Sequence, residues 1–257
     1  MTGVRTRVDG GVAVVTLDRP EVRNALDWAA WEALGRAVEE CDRDDVRAVV
    51  LTGGDRWFSA GGDVSSMGQG ADGGVAAPAA RVRVAHRAVR ALTRCRVPVV
   101  AAVEGFAVGA AWGLVLACDL VVASREAFFA APFNERGLVA DAGLAWSLPR
   151  HLGHQRAAEL LLLGERLPAP RAHELGLVTR LAEPGQAGNQ ALALAARLAA
   201  GPADAVRLTK GLLNRAPTSS LDAFLDDEYV HVALNGHSPD VAEGRQAFLD
   251  KRPPRFR

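Results

Sequence analysis

Three short runs, residues 46–52, 99–103 and 119–123, are dominated by apolar side chains with little of the alternation that marks a half-exposed strand. Strands of this kind are buried. Between them lie stretches of helical period, so the chain reads as β–helix–β alternation, an α/β arrangement. Residues 28–41 show the clearest helical face, with Trp28, Trp31, Leu34 and Val38 at spacings of three and four. Residues 81–95 return to that period, and the small-residue stretch 109–118 is a third predicted helix. Upstream, the β-branched runs 4–8 and 12–17 flank Asp9-Gly10-Gly11, a hairpin signal. Pro98 stands just before a predicted strand, where its missing N–H is tolerated.

The stretch 53–80 is rich in Gly, Ala, Ser and Asp, and within it residues 68–78 hold too little apolar bulk to pack on their own. A mobile loop is expected there. After residue 140 amphipathic helices dominate, predicted over 141–147, 155–162, 169–174, 186–199, 202–214 and 219–235. The expected division is a core over residues 1–195 and a C-terminal helical region over 196–257. At 257 residues the chain buries a sizeable core without covalent staples.

Lys plus Arg and Asp plus Glu number 30 each, which leaves no global field for nucleic acid or an anionic membrane. The cysteines Cys41, Cys95 and Cys118 form no C-x-x-C pair, which disfavours metal sites and disulfides and fits a reducing cytoplasm. Arg5 and Arg7 precede no apolar run, so no signal peptide is expected. The most apolar stretch, 99–122, is interrupted by Glu104, Asp119 and glycines, which argues against a membrane span. There is no P-loop and no G-x-G-x-x-G, and Ser59, Ser65 and Ser147 sit in no nucleophile elbow. The six histidines show no ligand spacing.

Two segments place small residues directly after a buried strand: Phe58-Ser59-Ala60-Gly61-Gly62-Asp63, and Glu104-Gly105-Phe106-Ala107-Val108-Gly109-Ala110-Ala111. Each alone reads equally well as a turn. Small residues let backbone amides approach a ligand closely, and a helix start adds unpaired N–H groups. Together the two segments can make an oxyanion hole.

With Leu17-Asp18-Arg19-Pro20-Glu21-Val22-Arg23-Asn24-Ala25-Leu26, Cys118-Asp119-Leu120 and Gly164-Glu165-Arg166-Leu167, these segments resemble the crotonase, or enoyl-CoA hydratase/isomerase, superfamily. The resemblance runs over nearly the whole chain. It implies a spiral of ββα repeats followed by a helical C-terminal trimerisation region, and an acyl-CoA substrate with no separate cofactor and no metal. By position it implies that the N–H groups of Gly62 and Ala110 polarise the thioester carbonyl. Ala110 stands where relatives often have glycine.

The hydratase pattern of this family uses two glutamates, and the matching positions here are Gly113 and Phe133. Losing both argues against ordinary hydration, which needs one group to activate water and another to manage the second proton. Instead, Gly137-Leu138-Val139-Ala140-Asp141-Ala142-Gly143 before Leu148-Pro149-Arg150 resembles the phenylacetate-pathway epoxide isomerase and enoyl-CoA isomerase branch. That branch carries one catalytic Asp, here Asp141, although Ala140 and Leu144 depart from its usual proline and glycine. Apolar neighbours such as Phe133, Leu138 and Val139 are expected to raise its pKa. On local sequence alone Asp141 reads as a helix N-cap; Glu104 and Glu135 read as surface groups or partners of backbone amides.

Coenzyme A contacts implied by the resemblance are Arg23, Ala25, Ala60 and Lys251. Solvated surface charge is the competing reading for the two cations. The family implies a homotrimer or dimer of trimers, and the stripe Leu221, Phe224, Leu225, Val230 and Leu234 is either that interface or internal core. The expected activity is a 1,3-proton shift on an acyl-CoA. A hydratase, a hydrolytic relative and a non-catalytic acyl-CoA-binding scaffold stay open as alternatives.

Overall fold

A computed structural model describes residues 3–66 and 76–256 of the chain. Strands β1 (Val4–Asp9) and β2 (Val12–Leu17) form the predicted hairpin, with Val4 opposite Leu17 and Asp9 opposite Val12. Its turn residues Gly10 and Gly11 have φ of 54° and 79°, the left-handed pair that matches the twist of the flanking strands. Helix α1 (Trp28–Glu39) is capped by the Asp27 side chain, which accepts from Ala30 N. Next come β3 (Ala48–Thr52), α2 (Ala76–Arg94), β4 (Val99–Val103), β5 (Phe106–Val108) and α3 (Ala110–Leu116). The chain continues through β6 (Leu120–Ser124), β7 (Phe128–Ala130), α4 (Leu144–Leu152), α5 (His154–Leu163), β8 (Leu167–Pro168), α6 (Ala169–Glu174) and β9 (Arg180–Ala182). Four more helices close it: α7 (Ala187–Ala199), α8 (Ala203–Arg215), α9 (Leu221–Asn235) and α10 (Pro239–Leu249).

Six strands form one sheet in the order β1-β2-β3-β4-β6-β9, and from β2 onward every pairing is parallel. A smaller sheet, β5-β7-β8, lies beside it, and the bridges Ser59 to Ala107 and Leu26 to Gly62 continue its pairing into the loops. The chain therefore spirals: β4, β5 and α3 make one turn, and β6, β7 and α4 the next. Alternate side chains of each large-sheet strand leave on opposite faces. Val49 and Leu51 join Trp31, Leu34, Leu92 and Trp112 in the larger core, whereas Ala48 and Val50 meet the alanine-rich face of α7. This explains why those strands show no alternation: both faces are covered.

Polar latches hold the C-terminal helices to the sheet. Glu104, which is buried, accepts from Ala187 N at 2.8 Å and so caps the start of α7. Lys210 of α8, only 5% exposed, donates to Asp119 Oδ2 at 2.7 Å and to Val97 O at 2.9 Å.

Several boundaries differ from the sequence expectation. Helix α2 begins at Ala76, inside the stretch expected to be a loop, and residues 68–75 of that stretch lie outside the described residues. Helix α4 begins at Leu144 and not at residue 141, because Ala142 and Gly143 hold φ of 50° and 81°, outside the helical region. The sequence reading omitted β5, β7, β8, β9 and α10. Three-residue strands are too short to show a period, and the apolar residues of α10 form no stripe.

Candidate active site

The loop 58–63 is built on the segment that precedes α1. Asn24, buried and at φ 56°, donates through Nδ2 to Gly53 O (2.8 Å) and Phe58 O (3.1 Å) and accepts Arg19 N (2.9 Å). Ser59 Oγ donates to Asn24 O at 2.7 Å and accepts Gly61 N at 3.0 Å. Arg19 ties the far end down, with Nη1 3.3 Å from Asp63 Oδ2 and Nη2 3.0 Å from Asp27 Oδ2.

These bonds fix which way the amides point. Leu26 N donates to Gly61 O and Asp63 N donates to Leu26 O, so along this bridge the N–H of Gly62 faces the other way and finds no protein acceptor among the described residues. Ala110 is the first residue of α3, whose opening N–H groups have no preceding turn to accept them. The two segments touch. Gly61 has φ 92°, and a Cβ there would lie 2.5 Å from Val108 O and 3.5 Å from Ala110 N, so only glycine permits the approach.

Gly62, Ala110, Ala60 and Asp141 line a single cavity of about 110 Å³, walled also by Trp31, Phe133 and Leu138. Asp141 is its only carboxylate among the described residues. Its Oδ1 is buried with no hydrogen-bond partner. Burial raises the Asp141 pKa above the ordinary carboxylate value, opposed by the positive charge of Arg81 and by His86. The N-cap reading fails: α4 starts after Gly143 with no side-chain cap, and only the backbone carbonyl of Asp141 receives a bond, from Leu144 N. Val139 is 87% exposed and cannot desolvate the site, contrary to expectation, whereas Phe133 is buried and Leu138 partly so.

Gly113, which stands where the hydratase pattern has a glutamate, packs directly on the loop that carries Asp141. A Cβ at Gly113 would lie 2.7 Å from Ala142 Cβ and closer still to Ala142 O. A longer side chain has no room there unless the loop moves. Glu104 is committed to Ala187 N, and the Glu135 side chain is 63% exposed beside Arg136. Burial pushes the Cys41 thiol up to about 11 and raises Cys95 and Cys118 as well, so no thiolate nucleophile forms at neutral pH.

The remaining expected residues are more dispersed. Arg23 is exposed and supplies its carbonyl to Ala60 N (3.0 Å), and Ala25 O accepts from Arg19 Nη1 (2.5 Å), so both adjoin the cavity through backbone. Lys251 follows α10 at φ 54° and does not line the cavity. Sequence reasoning passed over Arg19, Asn24, Arg81 and Arg136. Asn24 acts through backbone carbonyls far along the chain and Arg19 through the carboxylates of Asp27 and Asp63, and nothing in one sequence separates Arg81 from the solvent-facing arginines of α2.

The family model for enoyl-CoA hydratase/isomerase matches residues 7–257. The 1,2-epoxyphenylacetyl-CoA isomerase of Escherichia coli (strain K12) is 37% identical, covering 100% of this chain and 98% of that one. A Rhodobacter capsulatus protein named "Probable enoyl-CoA hydratase" is 39% identical, covering 98% of this chain and 97% of its own. The crystal structure of an enoyl-CoA hydratase from Polaromonas sp. JS666 superposes with a TM-score of 0.94 at 36% identity, covering 99% of both chains. A full-length sequence match, the spiral fold and the paired small-residue loops agree: this chain is an enzyme of the enoyl-CoA hydratase/isomerase family.

Proposed function

We propose that this enzyme moves a double bond along an acyl-CoA by a 1,3-proton shift, with Asp141 as the single acid–base group. The observation that carries this reading is Asp141, the lone carboxylate of the cavity among the described residues, with its unbonded Oδ1 beside the wall that Gly62 and Ala110 also line. The thioester oxygen would accept from the N–H groups of Gly62 and Ala110. Ionised Asp141 removes a proton from the carbon two positions beyond the α-carbon. The electron pair passes through the conjugated system to the thioester oxygen, which the two amides stabilise as an enolate. The proton then returns from Asp141 to the α-carbon, so one base suffices and no water is consumed. No separate cofactor is needed. Coenzyme A enters as part of the substrate, met by backbone near Ala25 and Ala60 and by the charges of Arg23 and Lys251.

Hydration is the competing reading, favoured by the names of two of the similar proteins. Among the described residues it lacks a second carboxylate in the cavity, and Gly113 leaves no room for one unless the loop moves. Incubating the enzyme with a panel of unsaturated acyl-CoAs and weighing the products separates the two: isomerisation leaves mass unchanged, hydration adds one water. Asp141→Asn is expected to lower kcat by roughly 10²–10⁴-fold with little change in coenzyme A affinity. Unchanged turnover in that variant would refute the mechanism, and no turnover in the parent across the panel would favour a non-catalytic binder. We also propose a homotrimer or dimer of trimers, built through the exposed apolar side chains of the C-terminal helices.

A further inference from the structure

The cavity that holds Asp141 is apolar on most of its wall, with Trp31, Val64, Val82, Ala85 and Phe133 contributing, yet two arginines also line it. Their circumstances differ. Arg136 is occupied, donating to Pro132 O at 2.9 Å and lying 3.9 Å from Glu135. Arg81, half-buried in the second turn of α2, has neither a hydrogen bond nor an ion pair among the described residues. Arg19, by contrast, is paired with Asp27 and Asp63. A half-buried arginine beside apolar side chains gains from an anion that meets it, and its planar fork suits a carboxylate. Asp141 lies near enough to feel the Arg81 charge, but its side chain makes neither a hydrogen bond nor an ion pair with Arg81, so the donors of the fork stay unused.

We propose that Arg81 is a specificity residue that binds a free carboxylate at the far end of the acyl chain, so that the preferred substrates are monothioesters of dicarboxylic acids. The inference rests on reading this cavity as the acyl site, and it adds the class of acyl group. A phosphate of coenzyme A is the less apt partner, because Arg81 shares its cavity with Asp141 and the amides of Gly62 and Ala110, where the thioester end would sit. Paired with a substrate carboxylate, the guanidinium holds the acyl chain at both ends, thioester in the amides and tail on Arg81.

The test compares two saturated, non-reacting thioesters of equal chain length, adipoyl-CoA and hexanoyl-CoA, by calorimetric titration of the full chain. Both carry the same coenzyme A, so any phosphate contact cancels in the ratio. Adipoyl-CoA is expected to bind on the order of tenfold more tightly or better, the value of one charge-assisted hydrogen bond. In Arg81→Leu the ratio should fall to about one, and Arg81→Lys should keep part of it; Arg81→Gln substitutes if the leucine variant does not fold. Equal affinities in the parent, or a preference that survives in the leucine or glutamine variant, overturn the proposal. Turnover is scored separately. An Arg81-dependent preference without double-bond migration sinks the isomerase reading and keeps this one, and Asp141-dependent migration with equal affinities does the reverse.

Discussion

Asp141 sits where burial disfavours its charged form, and the sign of the consequence can be worked through. The folded protein holds the proton to a higher pH than the unfolded chain does, whose Asp titrates near about 3.9. The resulting stability is complete below that value and is lost as pH rises through the raised native pKa. Asp141→Asn removes this loss, so the variant should melt roughly 2–4 °C above the parent at about pH 8 and show no advantage at about pH 3, by calorimetry at both pH values. For the same reason the acidic limb of the parent's kcat/KM profile should lie above the ordinary carboxylate range. At Gly113 a methyl group already meets Ala142; Gly113→Ala should cost about 1–3 kcal/mol in urea unfolding and, by displacing Asp141, lower kcat about tenfold or more. That Asp141, Gly62 and Ala110 would lie around one cavity was legible because short motifs carry them. Val139 was misread because sequence neighbours in a loop point in different directions, and only coordinates say which one faces inward.

The elements that position the site depend on a few buried polar contacts. Lys210 donates to Asp119 Oδ2, which also accepts Val99 N at 2.7 Å, so one carboxylate joins α8 to the starts of β4 and β6. Removing the ammonium leaves that carboxylate half-buried with fewer partners. Lys210→Met should therefore lower stability by about 2–4 kcal/mol, read as a shift of the urea midpoint at unchanged slope; a shift under about 0.5 kcal/mol would show the latch to be a surface pair. Strands with both faces covered, such as Val99–Val103, were plain in the sequence because their runs are unbroken. Phe106–Val108 and Phe128–Ala130 were not, since three residues pairing in a small sheet leave no signature beyond the glycines around them. The start of α2 was hidden by the Gly/Ala composition that precedes it.

At the scale of the molecule, the C-terminal helices are the part least explained by a single chain. Helix α9 buries none of its residues, and Leu221, Tyr229, Val232 and Leu234 on it are exposed, as are Leu213, Phe248 and Leu249 on its neighbours. The stripe expected to be either interface or core is thus not core within one chain. Apolar exposure on this scale suits an association surface; if the proposed trimer forms through it, Leu225→Glu with Tyr229→Glu should give monomers in sedimentation velocity, whereas a parent that already sediments as a monomer would contradict the trimer. Among the described residues no helix is long and apolar enough to cross a membrane. The contact between Gly113 and Ala142 reaches beyond packing. Because α3 and the loop after β7 occupy one another's space, a glutamate at 113 fits only if the loop that carries Asp141 moves. Under the proposed mechanism, converting this backbone from proton shuttling to water addition would therefore take paired substitutions, one at 113 and one in the facing loop, since the first alone disturbs the seat of Asp141.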